Sequence, residues 1–289
     1  MAGLFIAAGQ NGQRIISENG VDWTHAETGK EGETWRTITA GNGRFVCAGS
    51  FGGTNIFGTT TDGITWEYSK HEGHYSRFVR GIVFHQGNFI ATGGDPTTVG
   101  FAKPFALISS DGKNWGEFIE VPGKFLLRRF AVGKGVIVGV GDRGRRAVST
   151  DGKEWKDAPD AKAIDTLVDV AFGAGRFVGV GLNSLRMVSE EGLYWTNRFI
   201  GEEGEHLNSI IWTGKQFAAI GLGVTYFSPD GFSWQRVVNH DAPLTAAYGN
   251  GVYVGVNWRG RVLLSTDAVE WNEVYKCPNN FEAICFGGA

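Results

Sequence analysis

The feature that most constrains this chain is a heptapeptide, Ser/Thr-x-Asp-Gly-x-x-Trp, that occurs seven times with small variations. The seven copies end at Trp23, Trp66, Trp115, Trp155, Trp195, Trp234 and Trp271. Successive tryptophans are 43, 49, 40, 40, 39 and 37 residues apart. A period of about 40 residues with several strands per unit is typical of a β-propeller blade. We therefore predict a single all-β domain, although 289 residues would also allow two.

Each repeat has the pattern of four short antiparallel strands, which make one propeller blade. In the fifth copy, apolar runs at 167–172, 176–181 and 185–188 are separated by Gly and Asn turns, and a fourth run begins at 194. Within the heptapeptide, Ser and Asp can accept hydrogen bonds in a tight turn, and Gly supplies a left-handed backbone conformation. Trp fills the space between blades. We expect strained or weaker turns where Ala268 replaces Gly and where Asn19 or Glu191 replaces Asp.

The two ends of the chain complement each other. Residues 281–288 match the first strand of a blade and its turn, whereas residues 3–9 match a second strand with no first strand before it. The C-terminal strand is therefore expected to complete the N-terminal blade and close a ring of seven. The predicted blades are 3–25 with 281–289, 34–69, 77–119, 126–158, 166–199, 206–238 and 244–275.

Composition and motifs exclude several classes of function. The net charge of -3 gives no global field that attracts nucleic acid or a membrane surface, and no apolar run reaches the roughly 18 residues of a membrane span. The three cysteines lack metal-binding spacing, and no P-loop, nucleophile elbow or nucleotide fingerprint occurs. We expect no metal, no cofactor and no membrane insertion. The N-terminus lacks a signal peptide, so a cytoplasmic or virion location is expected unless a leader was removed.

The heptapeptide resembles the Asp-box, or BNR, repeat of propellers that include sialidases and photosystem II assembly-factor-like proteins, in a shortened variant. The phrase Gly-x-Gly-x-Phe-Val before each box resembles seven-bladed repeats in bacterial surface and phage proteins. This resemblance implies a seven-bladed β-propeller in which the boxes are structural turns away from the ligand face. Sialidases resemble six-bladed propellers with an Arg-Ile-Pro element that this chain lacks, so sialidase activity is not expected.

The positions that do not repeat are the candidate binding residues. When the first strands are aligned, blades 2, 3 and 4 carry Arg36, Arg80 and Arg128, and the other blades carry Val168, Asn208, Leu244 and Glu282. The loops between strands two and three add Arg143, Arg145 and Arg146 in blade 4 and Trp258, Arg259 and Arg261 in blade 7. Arginine matches carboxylates and phosphates, and an exposed Trp suits a sugar ring or a partner side chain. The alternative for the arginines is that they are solvated loop charges or partners of nearby Asp and Glu, and the alternative for Trp258 is packing on a neighbouring loop.

These observations favour a non-catalytic propeller that presents its loop face to a protein or glycan partner, in a bacterial surface or phage assembly. One alternative is a polysaccharide lyase on a uronic-acid polymer, with His74 and Tyr75 as base and acid and Arg80 neutralising the uronate. Another is a purely structural assembly subunit. The insertion at 93–105 in blade 3 is predicted to be a lid or contact surface, because loops of this length are usually functional.

Overall fold

The computed structural model describes residues 3–72, 78–95, 97 and 102–288. These residues form seven four-stranded antiparallel sheets, and the chain is a seven-bladed β-propeller, as predicted. No helix in the described part of the chain is long and apolar enough to span a membrane.

In every blade except blade 1, the first strand along the chain is the innermost strand, and the other three follow outwards in order. Blade 1 contains β1 (Leu4–Gly9), β2 (Arg14–Ser17) and β3 (Thr24–Glu27). Blade 2 contains β4 (Thr34–Gly41), β5 (Arg44–Phe51), β6 (Thr54–Thr60) and β7 (Glu67–His71). Blade 3 contains β8 (Phe78–His85), β9 (Asn88–Gly94), β10 (Phe105–Ser109) and β11 (Ile119–Glu120). Blade 4 contains β12 (Leu127–Gly133), β13 (Val136–Gly141), β14 (Arg146–Ser149) and β15 (Lys156–Asp157).

Blade 5 contains β16 (Leu167–Gly173), β17 (Arg176–Gly181), β18 (Arg186–Ser189) and β19 (Thr196–Phe199). Blade 6 contains β20 (Leu207–Trp212), β21 (Phe217–Gly221), β22 (Val224–Ser228) and β23 (Gln235–Val238). Blade 7 contains β24 (Thr245–Gly249), β25 (Val252–Asn257), β26 (Arg261–Ser265) and β27 (Asn272–Lys276). The last strand, β28 (Phe281–Gly287), is the innermost strand of blade 1. Two short 3-10 helices occupy Asp142–Gly144 and Ala163–Asp165.

The ring closes where the two ends of the chain meet. Strand β28 pairs with β1 in antiparallel register from Leu4 opposite Gly287 to Gly9 opposite Phe281. The same strand packs against the first strands of blades 2 and 7. This confirms the predicted closure, in which the C-terminal strand joins the N-terminal blade.

The chain direction gives the propeller two distinct faces. In every blade the first strand begins beside the loop that joins strands two and three, as the bridge between Gln10 and Thr34 shows for blades 1 and 2. We call this side the upper face. Each heptapeptide, or box, follows the third strand and therefore lies on the opposite, lower face.

The box is a hydrogen-bonded turn, as the copy at 60–66 shows. The Gly63 N–H donates to Thr60 Oγ1 at 2.8 Å, and the next two N–H groups donate to Asp62 Oδ1 at 2.8 Å. The Trp66 indole then donates to the Gly63 carbonyl at 3.0 Å. Asn19 accepts the same two backbone bonds at 2.8 and 2.9 Å, so the expected weakening of the turn at that position finds no support in its geometry.

Acid is expected to weaken these turns. The backbone N–H bonds lower the pKa of Asp62, and the pKa values of Asp151 and Asp230 are lowered in the same way. Because the folded pKa lies below that of the unfolded chain, about 3.9 for Asp, the stabilisation is present above about pH 4 and is lost as the pH falls further. The urea midpoint should therefore drop between pH 7 and pH 3.

The substitution Asp62→Asn should reduce this pH dependence, because Asn19 already shows an amide oxygen accepting both bonds. Glu31→Gln, at an exposed position, is the control. An equal loss of stability in acid for the wild-type chain and Asp62→Asn would contradict the assignment.

Candidate functional site

The aligned arginines occupy equivalent β-bulges at the start of neighbouring first strands. Strand register shifts between Trp35 and Thr37, between Val79 and Gly81, and between Leu127 and Arg129. The unpaired residue at these shifts is Arg36, Arg80 and Arg128 respectively. A bulge turns its extra residue out of the regular alternation, and all three bulges lie near the start of an innermost strand, which places these residues at the upper end of the central channel.

The charges of Arg36 and Arg128 both act on Arg80, which indicates that the three side chains lie close together. Burial and the neighbouring charges of Arg36 and Arg128 together lower the pKa of Arg80 to about 10, and the carboxylates of Asp142 and Asp95 oppose this shift. Arg128 forms a two-pronged ion pair with Asp142, with Nη2 to Oδ2 at 2.8 Å. Arg36 and Arg80 form no ion pair within the described residues, and the Nε of each is buried without a hydrogen-bond partner there. We call Arg36, Arg80 and Arg128 the arginine cluster.

The channel below the cluster is narrow and polar. A cavity of about 250 Å³ is lined by residues of all seven first strands. Asp169 projects into it and accepts backbone N–H bonds from Val170 and Ile210, both at 2.9 Å. Burial raises the pKa of this carboxyl, and the positive charge of Arg129 opposes the rise. The channel therefore holds opposite charges, whereas Arg36 and Arg80 at the rim above it have no ion pair among the residues that the structure describes.

The other predicted binding residues lie elsewhere on the upper face. Arg143 is exposed beside Asp142, one turn from the arginine cluster. Trp258 and Arg259 are exposed in the loop of blade 7, and Trp258 is 68% exposed. Around the ring, blade 1 separates blade 7 from blade 2, and blades 5 and 6 separate it from blade 4, so Trp258 and Arg259 lie on the same face as the arginine cluster but apart from it.

Three further loop arginines are engaged within the fold. Arg145 is 4% exposed and pairs with Asp157 at 3.0 Å, and Arg146 is fully buried. Arg261 pairs with Asp241 and Glu273. For Arg145 and Arg261 the structure therefore favours the alternative that they are partners of nearby Asp and Glu. His74, Tyr75 and part of the 93–105 insertion lie outside the described residues, so the lyase geometry and the lid stay predictions.

A second concave site lies between blades 1 and 2. A cavity of about 370 Å³ is lined by Arg14, Lys30, Trp35 and Tyr68 among others. Arg14 packs between the aromatic rings, 5.7 Å from Trp35 and 5.2 Å from Tyr68, and pairs with Glu27 at 3.0 Å. The repeat alignment gave no signal for this cavity, because its residues come from unlike positions of two blades.

The fold and the upper face define a seven-bladed propeller with a cationic channel mouth. Among solved structures, the chain is similar to YCF48 bound to D1 peptide, with a TM-score of 0.63 and 14% identity over 99% of this chain and 88% of that chain. YCF48 from Cyanidioschyzon merolae has a TM-score of 0.58 and 17% identity over 84% of this chain and 85% of that one. A virginiamycin B lyase from Staphylococcus aureus has a TM-score of 0.66 and 10% identity over 85% and 84%.

Identities at this level show a shared fold and do not transfer a function. No protein-family model matches the chain, and no curated protein matches its sequence. The resemblance is therefore confirmed for the propeller fold, whereas the Asp-box family assignment has no support from these comparisons.

Proposed function

We propose that this protein is a non-catalytic interaction propeller that binds a negatively charged segment of a partner protein at the arginine cluster. The observation that carries the proposal is the convergence of three arginines from neighbouring blades, two of which lack an ion pair within the described residues. Holding like charges close together is unfavourable. An anionic ligand that neutralises all of them therefore gains more binding free energy than it would from a single exposed arginine.

The comparisons favour a peptide as that ligand. YCF48, which shares the fold across nearly the whole chain, has been solved with a D1 peptide. A free terminal carboxylate or an acidic side chain would match the planar guanidinium groups of Arg36 and Arg80. The setting we propose is a multiprotein assembly such as a bacterial surface structure or a phage virion.

Replacing the free arginines should weaken binding of an acidic peptide. The probe is a short fluorescein-labelled peptide of alternating Glu and Ala residues with a free terminal carboxylate, followed by fluorescence anisotropy. Each charge-assisted hydrogen bond contributes about 1.5 kcal/mol, so Arg36→Gln and Arg80→Gln should each weaken binding about tenfold. The wild-type affinity should fall steeply with salt, and the double variant should lose most of that dependence.

The matched control is Lys134→Gln, which removes the same charge from the lower face of blade 4. It should bind the peptide like the wild-type chain. Equal weakening by Lys134→Gln and by the cluster variants would mean that the peptide responds only to net charge, and the proposed site would be wrong.

A glycan is the second candidate ligand, because Trp258 is 68% exposed beside Arg259. An exposed indole is a suitable surface for stacking a sugar ring. On a glycan array, Trp258→Ala should then abolish any binding that the wild-type chain shows, whereas Arg80→Gln should leave it unchanged. Loss of glycan binding in Arg80→Gln alone would place the sugar at the cluster instead.

A further inference from the structure

The upper face divides into a half whose bulge residues are cationic and a half whose bulge residues are uncharged. In blades 2, 3 and 4 the bulge position carries Arg36, Arg80 and Arg128. In blades 5, 6 and 7 the equivalent position carries Val168, Asn208 and Leu244. Because the ring is closed, these two groups of three blades face each other across the channel mouth.

The loops between strands two and three show the same division, farther from the central channel than the bulges. The first loop residue is Leu182 in blade 5, Leu222 in blade 6 and Trp258 in blade 7. These side chains are 45%, 59% and 68% exposed. We call them the apolar arc. The equivalent residue is polar in blades 1 and 4, where Gln10 and Asp142 are held by hydrogen bonds to Glu282 and Arg128.

Two of the three loops of the apolar arc, those of blades 5 and 7, are held in place by hydrogen bonds to the next blade. The Asn183 N–H donates to His206 Nδ1 at 3.0 Å, which ties the blade 5 loop to the start of blade 6. In blade 7 the Arg259 N–H donates to Asn280 Oδ1 at 2.6 Å, ahead of β28. Large apolar side chains that are exposed on loops fixed by hydrogen bonds are typical of a preorganised contact surface.

We propose that the apolar arc and the arginine cluster form one docking surface for an extended protein segment that is acidic at one end and carries large apolar side chains at the other. This proposal rests on the proposed function and adds a composition and a direction to the ligand. The acidic end lies over blades 2 to 4, and the apolar end lies over blades 5 to 7.

The distribution of charge selects this occupant. A sugar chain would use Trp258 but gains little from Leu182 and Leu222, which offer only aliphatic surface. An acidic and apolar peptide matches both halves at once, so charge steers it and apolar contact holds it.

The test is a selection from a library of random peptides of about twelve residues, which span about 40 Å when extended. Peptides that bind the full chain are sequenced, and their affinities are then measured for two paired variants. Leu182→Ser with Leu222→Ser removes aliphatic surface from the apolar arc. Val21→Ser with Ile64→Ser removes comparable exposed surface, 50% and 43% exposed, from the lower face.

We expect the selected peptides to combine acidic residues near one end with Leu, Phe or Trp near the other. The apolar-arc pair should weaken their binding at least tenfold with an unchanged salt dependence, whereas Arg36→Gln with Arg80→Gln should weaken it and flatten the salt dependence. The lower-face pair should have no effect.

Two results overturn the inference in distinguishable ways. If the peptides are acidic throughout and only the arginine variants weaken them, the apolar arc is not part of the site and the proposed function stands. If the selected peptides are insensitive to the arginine variants, the proposed function fails as well. Binding of glycans, and not of peptides, that depends on Trp258 would also overturn the two-part protein site.

Discussion

A chain that lacks residues 281–289 is expected to lose its cooperative fold. Strand β28 is the innermost strand of blade 1, and without it β1 becomes an unpaired edge at the centre of the ring. Phe281 and Ala283 are buried in the layers that join blade 1 to blades 7 and 2. Removing the strand therefore opens two interfaces at once, a loss comparable with the whole stability of about 5–15 kcal/mol that is typical of a domain.

Circular dichroism during heating measures this effect. The truncated chain should show no sharp transition, whereas a chain that ends at Gly287 keeps all of β28 and should melt like the full chain. A synthetic peptide with the sequence of residues 279–289 should restore the transition to the truncated chain, because it supplies the missing strand. Unchanged melting after truncation would contradict the closure.

The sequence predicted the architecture because the fold depends on features that repeat. Seven boxes with Gly and Trp at fixed positions each make the same turn, and the spacing of the tryptophans alone indicates the number of blades. The match between residues 3–9 and 281–288 also predicted the closure, because each segment contained half of a pattern seen intact elsewhere.

The site was only partly predictable. A repeat alignment gives equivalent positions along the chain, but it does not give the direction of each side chain or its partners from distant segments. Alignment placed Arg36, Arg80 and Arg128 at one position, but the bulge that turns them to the rim is a property of backbone register. Alignment also grouped Arg145 with Arg143, although Arg145 is 4% exposed and donates to the Phe125 carbonyl. Burial of a cation depends on partners from distant segments, which a repeat pattern does not show.

The box of blade 7 shows that the residue at the Gly position of each box is matched in size to a facing residue of the preceding blade. A Cβ added to Gly231 would lie 2.7 Å from Val178 of the preceding blade, and box glycines elsewhere face Val or Ile in the same way. In blade 7 the box carries Ala268 instead, and the facing residue in blade 6 is the smaller Ala218. The sequence led us to expect strain at Ala268, and its φ of 60° is left-handed, but the reduced neighbour relieves the crowding.

The substitution Gly231→Ala is therefore expected to destabilise the propeller strongly. An alanine at the φ of 81° observed there costs about 1–2 kcal/mol, and overpacking against Val178 adds about 1–3 kcal/mol. The free energy of unfolding from urea denaturation should fall by about 3 kcal/mol in total. The expected mechanism is steric, because the added methyl group meets a fully buried side chain.

A double-mutant cycle with Val178→Ala separates the two contributions. Val178→Ala alone should cost about 2 kcal/mol through lost apolar contact. If the two residues crowd each other, the double variant, which reproduces the Ala268 and Ala218 pair of the next interface, should be more stable than the sum of the single effects by about 1–2 kcal/mol. Simple additivity would show that the backbone conformation alone excludes alanine from the box, and that the small residue at Ala218 has no compensating role.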